Sequence, residues 1–337
     1  MKKQNDISLA FLNGSDLLER EQDVVKDASQ RTGFIPTKLL QRSSWWTSKE
    51  IGAFHYLGNY KGKEAVLKIQ GIKPETSEIY MINSFTKVNK SKILRPPHLY
   101  SNLPWDNERR YEALILEYVN GKRIVSTPTE QSEVDRFFDL YQNYKKNCLN
   151  NPWIDKPDET ISQKIEKNFS KWREASFKLY PSHPLKEEGD INLIDEAVKI
   201  LIREYENIEP QFQHPHLTEN DLMQVGAEVI VGSNLYWGWR APLYDAIFGY
   251  HWFKYHLSSV LDIASNKVQQ QIDLWLSKIE SLPEVKENQK LFKLAMLERY
   301  AAGLNLDALS VDLKSPAAKY LVEFTRREAE NLISELS

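Results

Sequence analysis

The sequence has one cysteine, almost no net charge and no long apolar run, and each shortage closes off a class of protein. Cys148 has no partner for an internal disulfide, so a disulfide-stapled secreted fold is excluded and a reducing cytosol is the expected compartment. No cysteine-enzyme motif surrounds it, which leaves a structural thiol. A formal net charge of −3 argues against a nucleic-acid or membrane surface built on bulk charge. No stretch approaches the roughly 18 uninterrupted apolar residues of a membrane-spanning helix. Residues 1–13 carry lysines but no apolar core of signal-peptide length. Internal repeats and low-complexity tracts are missing as well.

What is present describes a folded chain. Of 337 residues, 41% are hydrophobic and 27% charged, enough to bury a core in two lobes. Nine tryptophans and sixteen tyrosines imply large aromatic cores or an interaction surface. A short amphipathic helix is expected over 15–30, with Leu17, Leu18 and Val24 or Val25 on one face and Gly33 and Pro36 ending it. Strand signals follow, from Trp45-Trp46 through Phe54–Leu57, a turn at Gly58–Gly62, and a strand over Glu64–Gln70. Residues 74–88 have helical periodicity in Ile79, Ile82 and Phe85, with Pro74 suited to the first turn. Two more strands, 93–100 and 111–119, precede a break at Asn120-Gly121. After it the pattern is helical over 130–146, 159–179, 190–206, 244–262, 266–281, 287–302 and 316–334, with a short hairpin at 221–232. Strands, one helix, strands and then helices form a restrictive order: a small α+β lobe joined to a larger helical one.

Several residues have the types that ATP-dependent phosphoryl transfer requires: a lysine on the phosphates, a glutamate holding it, oxygen ligands for magnesium and a carboxylate for the acceptor hydroxyl. On a strand, Val66 and Lys68 share a face, so Val66 can cover an adenine ring while Lys68 reaches its phosphates. Taken alone, Ala65-Val66-Leu67-Lys68 is equally an ordinary edge strand. Glu78 at the next helix can pair with Lys68 or simply serve the helix dipole, as Glu75 would. Glu117-Tyr118-Val119 ends an apolar strand before Asn120-Gly121, as a segment offering backbone groups to adenine would, or as any strand ending in a turn.

With His214-Pro215-His216-Leu217-Thr218-Glu219-Asn220-Asp221-Leu222-Met223, then Ile230-Val231-Gly232-Ser233-Asn234, then Gly238-Trp239-Arg240-Ala241-Pro242-Leu243-Tyr244-Asp245-Ala246, the chain resembles the aminoglycoside-phosphotransferase-like branch of the protein-kinase-like fold. The resemblance covers roughly residues 40–335, and the Trp239–Ala246 match is its most specific part. It implies an α+β, two-lobed protein-kinase-like fold, with a small antiparallel-sheet N-lobe carrying one helix and a larger, mostly helical C-lobe. The implied division is an N-terminal helical extension (1–38), the N-lobe (39–121) and the C-lobe (122–337), the last including a catalytic-loop-like hairpin at 213–234. ATP is the implied nucleotide, and Asp245 the implied structural brace of the catalytic loop.

The departures fall on the charges. His216 stands at the catalytic aspartate, Asp221 at the metal-binding asparagine and Gly232 at the main magnesium aspartate, and Gly52 is the one glycine of the nucleotide loop near Ser48–Phe54. A histidine can accept a proton near neutral pH. A glycine cannot hold a hard dication, so magnesium is left to Asp221 as a tentative ligand, with Glu219 as a second carboxylate. His214 and His216 in a His-x-His spacing lack a third zinc ligand and read as structural histidines of a tight loop. Three functions are compatible with this pattern. The first is a catalytically impaired, pseudokinase-like module that binds a nucleotide or a partner protein. The second is an active phosphotransferase on a small hydroxylated substrate that uses Lys68, Asp221 and His216 or Glu219. The third is a helical interaction protein without nucleotide binding.

Overall fold

The computed structural model describes residues 14–44, 51–124, 130–308, 311 and 314–337. Trp45 and Trp46 of the expected strand region and Ser48–Glu50 of the expected nucleotide loop lie outside them. The chain divides into two compact units, Met1–Gly121 with Met223–Leu235, and Lys122–Leu222 with Tyr236–Ser337.

The first unit opens with two helices, α1 (Gly14–Glu19) and α2 (Glu21–Thr32). Gly33 ends α2 in the left-handed region (φ 76°), donating its N–H to the Ser29 carbonyl at 2.8 Å. Strand β1 (Phe34–Ser44) follows at once, so the helical extension stops before the expected boundary at residue 38. The next strands are β2 (Ile51–Tyr60) and β3 (Lys63–Gln70); after helix α3 (Glu78–Val88) come β4 (Leu94–Arg95), β5 (Leu99–Asp106) and β6 (Tyr111–Glu117). A five-stranded sheet forms in the order β1-β2-β3-β6-β5, and its β1-β2-β3 part is an antiparallel meander whose first strand, over 34–44, precedes the strand signals expected from Trp45 onward. A two-residue turn at Lys61-Gly62, with φ 52° and 82°, joins β2 to β3. This fixes the register, pairing Tyr60 with Lys63 and His55 with Lys68.

One sheet face is covered by the N-terminal helices. Leu17, Val24, Val25 and Ala28 pack with Phe54, Leu67, Ile69 and Ile115 in one core. The extension is therefore part of this unit's core rather than an appendage to it. On the other face α3 lays Ile79 and Ile82 over Leu114. Helix α3 starts at Glu78 and not at Pro74, because the Ser77 side chain accepts the Ile79 N–H and caps it there.

Residues 223–235 also belong to this unit, although the sequence pattern placed them with the helical lobe. Strand β10 (Glu228–Val231), hairpin partner of β9 (Leu222–Val225), runs parallel to β4 with Val229 opposite Leu94. Gly121 allows close approach to this hairpin: a Cβ there would meet the Gln224 carbonyl at 2.5 Å.

The second unit is mainly helical, with α4 (Gln131–Tyr144), α5 (Ile161–Leu179), α6 (Glu188–Tyr205), α7 (Tyr244–Val260), α8 (Asn266–Glu280), α9 (Pro283–Glu287), α10 (Gln289–Ala302) and α11 (Pro316–Leu336). Two short strands, β8 (Gln211–Gln213) and β11 (Gly238–Arg240), pair antiparallel. The aromatic residues fill its core. Trp275 is fully buried, stacked on Phe253 at 4.0 Å and beside Phe137 at 4.5 Å. No described helix is long and apolar enough to cross a membrane.

Candidate functional site

In the first unit, Lys68 and Glu78 meet. Val66, Lys68 and Gln70 alternate onto the α3 face of β3, while Ala65, Leu67 and Ile69 enter the opposite core. Ser77 caps α3 and so places Glu78 at its first residue, in reach of the strand. The Lys68 Nζ donates to Glu78 Oε2 at 2.5 Å, and the Gln70 amide donates to the same oxygen at 2.9 Å. Glu78 is buried, whereas the Lys68 side chain keeps 17% of its surface exposed. A lysine held in this way is oriented without being hidden, which suits it to grip phosphate oxygens.

Glu112, directly across from Gln70 on β6, is fully buried and accepts a hydrogen bond from the Ser77 hydroxyl at 2.8 Å. Burial pushes its carboxyl up to about 7; Ser77 opposes the rise and the Glu78 charge adds to it. Sequence reading passed over Glu112, which sits as an apparent polar interruption in an apolar strand. That interruption was the signal.

The segment from Glu117 is tied down by side chains that composition does not reveal. Arg95 grips both Glu117 carboxylate oxygens, at 2.6 and 3.0 Å, and also binds Glu228 at 2.9 Å. The His98 N–H adds a further bond to Glu117 at 3.1 Å. Burial would raise the Glu117 pKa, but Arg95 and His98 together hold it below the usual carboxylate range. Its carboxylate is therefore committed to Arg95. Val119 is half-buried beyond the strand.

In the second unit, the loop after β8 holds His214, His216, Glu219 and Asp221. The His214 N–H donates to the Tyr144 hydroxyl at 2.6 Å, and its ring packs edge-on against Trp237 at 4.9 Å. His216 stacks on Tyr236 at 3.8 Å and lies 4.6 Å from Phe248. This apolar enclosure, with His214, Arg299 and Arg240 nearby, drives its pKa well below the ordinary histidine value. A neutral, sandwiched imidazole is a weak proton acceptor at neutral pH.

Asp221 closes a capping box. The Thr218 N–H and hydroxyl donate to its Oδ2 at 3.0 and 2.7 Å, and Thr218 in turn caps the single 3-10 turn Glu219–Asp221. Glu219 is buried and binds the Nδ1 of His256 on α7, a residue the sequence reading did not single out. The other Glu219 oxygen, Oε2, has no hydrogen-bond partner among the described residues. Asp245 opens α7, buried, and accepts the Tyr141 hydroxyl at 3.0 Å, while its N–H donates to the Gln213 side chain at 2.8 Å. Burial raises the Asp245 pKa against the Ala246 N–H and Lys145. The brace between the loop and α7 thus runs through Gln213 and the tyrosines.

Carboxylates for a hard dication are few among the described residues of this segment. Gly232-Ser233-Asn234 supplies no carboxylate, Asp221 is engaged by Thr218, and no described cluster of three His, Cys, Asp or Glu residues can hold a metal.

No family profile and no curated protein sequence matches the chain. Solved structures do. Aminoglycoside phosphotransferase APH(4)-Ia aligns with a TM-score of 0.59 at 11% identity, over 93% of this chain and 98% of that one. Choline kinase from Cryptosporidium parvum Iowa II aligns with a TM-score of 0.55 at 13% identity, over 93% and 97%. A putative fructosamine-3-kinase from Haemophilus somnus 129PT aligns with a TM-score of 0.51 at 14% identity, over 92% and 95%. The chain has the aminoglycoside-phosphotransferase-like version of the protein-kinase-like fold. The antiparallel sheet also shows that the chain is not purely helical.

Proposed function

We propose that this protein is a kinase-fold nucleotide-binding module impaired in phosphoryl transfer. One contrast carries this reading. The lysine that grips phosphates is held ready by Glu78 and Gln70, while the positions that should hold magnesium and orient an acceptor carry Gly232, a sandwiched His216 and a capped Asp221. APH(4)-Ia has been solved as a ternary complex with ADP and hygromycin B, which supports a nucleotide here and a small molecule as a further ligand. A protein partner is the other ligand class open to such a module.

A thermal-shift titration with ATP, with and without magnesium, tests the reading. Stabilisation by ATP that needs no metal, lost in Lys68→Met, is the expected result; binding at 100 times Kd adds about 2.7 kcal/mol of stability. ATP turnover that Lys68→Met abolishes would overturn the impaired assignment.

One observation favours a second reading, an active phosphotransferase on a small hydroxylated substrate. The Glu219–His256 pair is a histidine oriented by a carboxylate, the arrangement that makes a proton acceptor. Under it, turnover falls at least tenfold in both His256→Asn and Asp221→Ala; unchanged rates in both dismiss it.

A further inference from the structure

The register set by the Lys61-Gly62 turn builds a polar row across three strands of the first unit. Gln41 on β1 lies opposite His55 on β2, and His55 lies opposite Lys68 on β3. His55 and Lys68 are on the α3 face, since their neighbours Phe54, Leu67 and Ile69 fill the other core. Directly opposed residues of an antiparallel pair have Cβ atoms about 5 Å apart. A protonated His55 opposed to Lys68 in this way is repelled, unless an anion sits between them.

The Gln41 amide nitrogen lies 3.3 Å from Nδ1; when that amide donates, Nδ1 accepts and the proton sits on Nε2. No other side chain among the described residues bonds to the His55 ring. It therefore offers one N–H donor on the face that carries the Lys68 ammonium. We propose that His55 is a second phosphate-binding residue, donating from Nε2 to the polyphosphate that Lys68 grips, and that it gains a proton as the polyphosphate binds.

This inference rests on the nucleotide-binding reading of Lys68, and it explains how a chain with few glycines in its nucleotide loop replaces backbone donors with a side chain. The charged and titratable groups around the ring are Lys68 on β3 and, through Lys68, Glu78 on α3; the uncharged Gln41 approaches from β1. Burial and the Lys68 charge hold His55 neutral, near 3, in the free protein. A polyanion between them reverses both effects, so the protonated ring binds more tightly and affinity rises as pH falls.

The test is calorimetric titration of inorganic tripolyphosphate and of ATP, both without metal, into the full chain at pH 8 and pH 6. The comparison uses wild type, His55→Gln, His55→Phe and Lys68→Met. His55→Gln keeps an N–H donor but cannot gain a proton, so its pH dependence is that of the ligand alone. The expected result is a roughly tenfold tighter Kd at pH 6 in wild type than the His55→Gln slope accounts for, with His55→Phe weaker than both. Wild-type binding that His55→Gln and His55→Phe reproduce at both pH values overturns the proposal and leaves the Lys68 site standing. No binding by wild type overturns the proposal and the nucleotide reading together. The ring 15N shifts of His55 in wild type provide a check independent of variant folding: tripolyphosphate must move them toward the protonated pattern at pH 6, and static shifts under saturating ligand sink the proposal.

Discussion

Lys254 is the most costly single side chain of the second unit. It is fully buried, and its ammonium has no hydrogen-bond partner among the described residues; the rings of Phe324, Tyr250 and Tyr300 surround it at 3.8, 4.4 and 5.0 Å. Burial drives its pKa far down, with Glu328 opposing and Arg299 and Arg327 adding to the fall. The unfolded chain then binds a proton that the folded chain releases, so this lysine costs stability at neutral pH and the cost fades as pH rises toward 10.5. Lys254→Met should be more stable than wild type by roughly 1–3 kcal/mol at pH 7, with the gap shrinking as pH approaches and passes 10.5 in urea denaturation. Glu112 acts in the other direction. Its folded pKa near 7 lies above the ordinary 4.5, so the folded state holds the extra proton and stability drops as pH rises through that window. Glu112→Gln is expected to melt higher than wild type at pH 8, by ~3 kcal/mol at most, and to match it at pH 4. Neither residue stood out in the sequence. A lysine or glutamate looks the same at every position until packing decides whether water reaches it.

At the scale of elements, Arg95 matters most. From a two-residue strand it ties β6 through Glu117 and β10 through Glu228. Arg95→Met removes one partner of a largely buried pair and leaves a desolvated carboxylate, a loss of about 2–4 kcal/mol. The double variant Arg95→Met/Glu117→Gln should recover most of it, and a denaturation cycle of the four proteins measures the coupling. The β2–β3 hairpin teaches a different lesson. Its turn residues, the alternation in Ala65–Ile69 and the shared face of Val66 and Lys68 were all legible, because strand periodicity and turn chemistry are local. The start of α3 was not, since Pro74 and Ser77 both suit a helix start and only the Ser77 cap geometry chose between them. Asp221 reads by position as a tentative metal ligand; what its position does not reveal is that its Oδ2 accepts from Thr218, three residues earlier, in a capping box.

For the whole molecule, connectivity sets what can be separated. The first unit takes residues 1–121 and then 223–235, and the later stretch brings β10 beside β4 and Glu228 to Arg95. A fragment ending at Gly121 therefore lacks a strand and an ion-pair partner. It is expected to be degraded by trypsin far faster than the same residues in the full chain, and equal protection would contradict this. Deleting residues 1–33 strips Leu17, Val24, Val25 and Ala28 from the core and bares the sheet face beneath, so that variant should aggregate on expression.

The sequence by itself determined the α+β class, the run of strands followed by helices and the absence of carboxylates at 216 and 232, because periodicity, turns and residue identity are properties of short windows. Tertiary structure alone decided that Glu78 rather than Glu75 holds Lys68, that His55 faces it, that Glu117 belongs to Arg95 and that Glu219 belongs to His256. Each of those choices joins residues on different elements, and burial, which sets what such a contact is worth, exists only once the chain has folded.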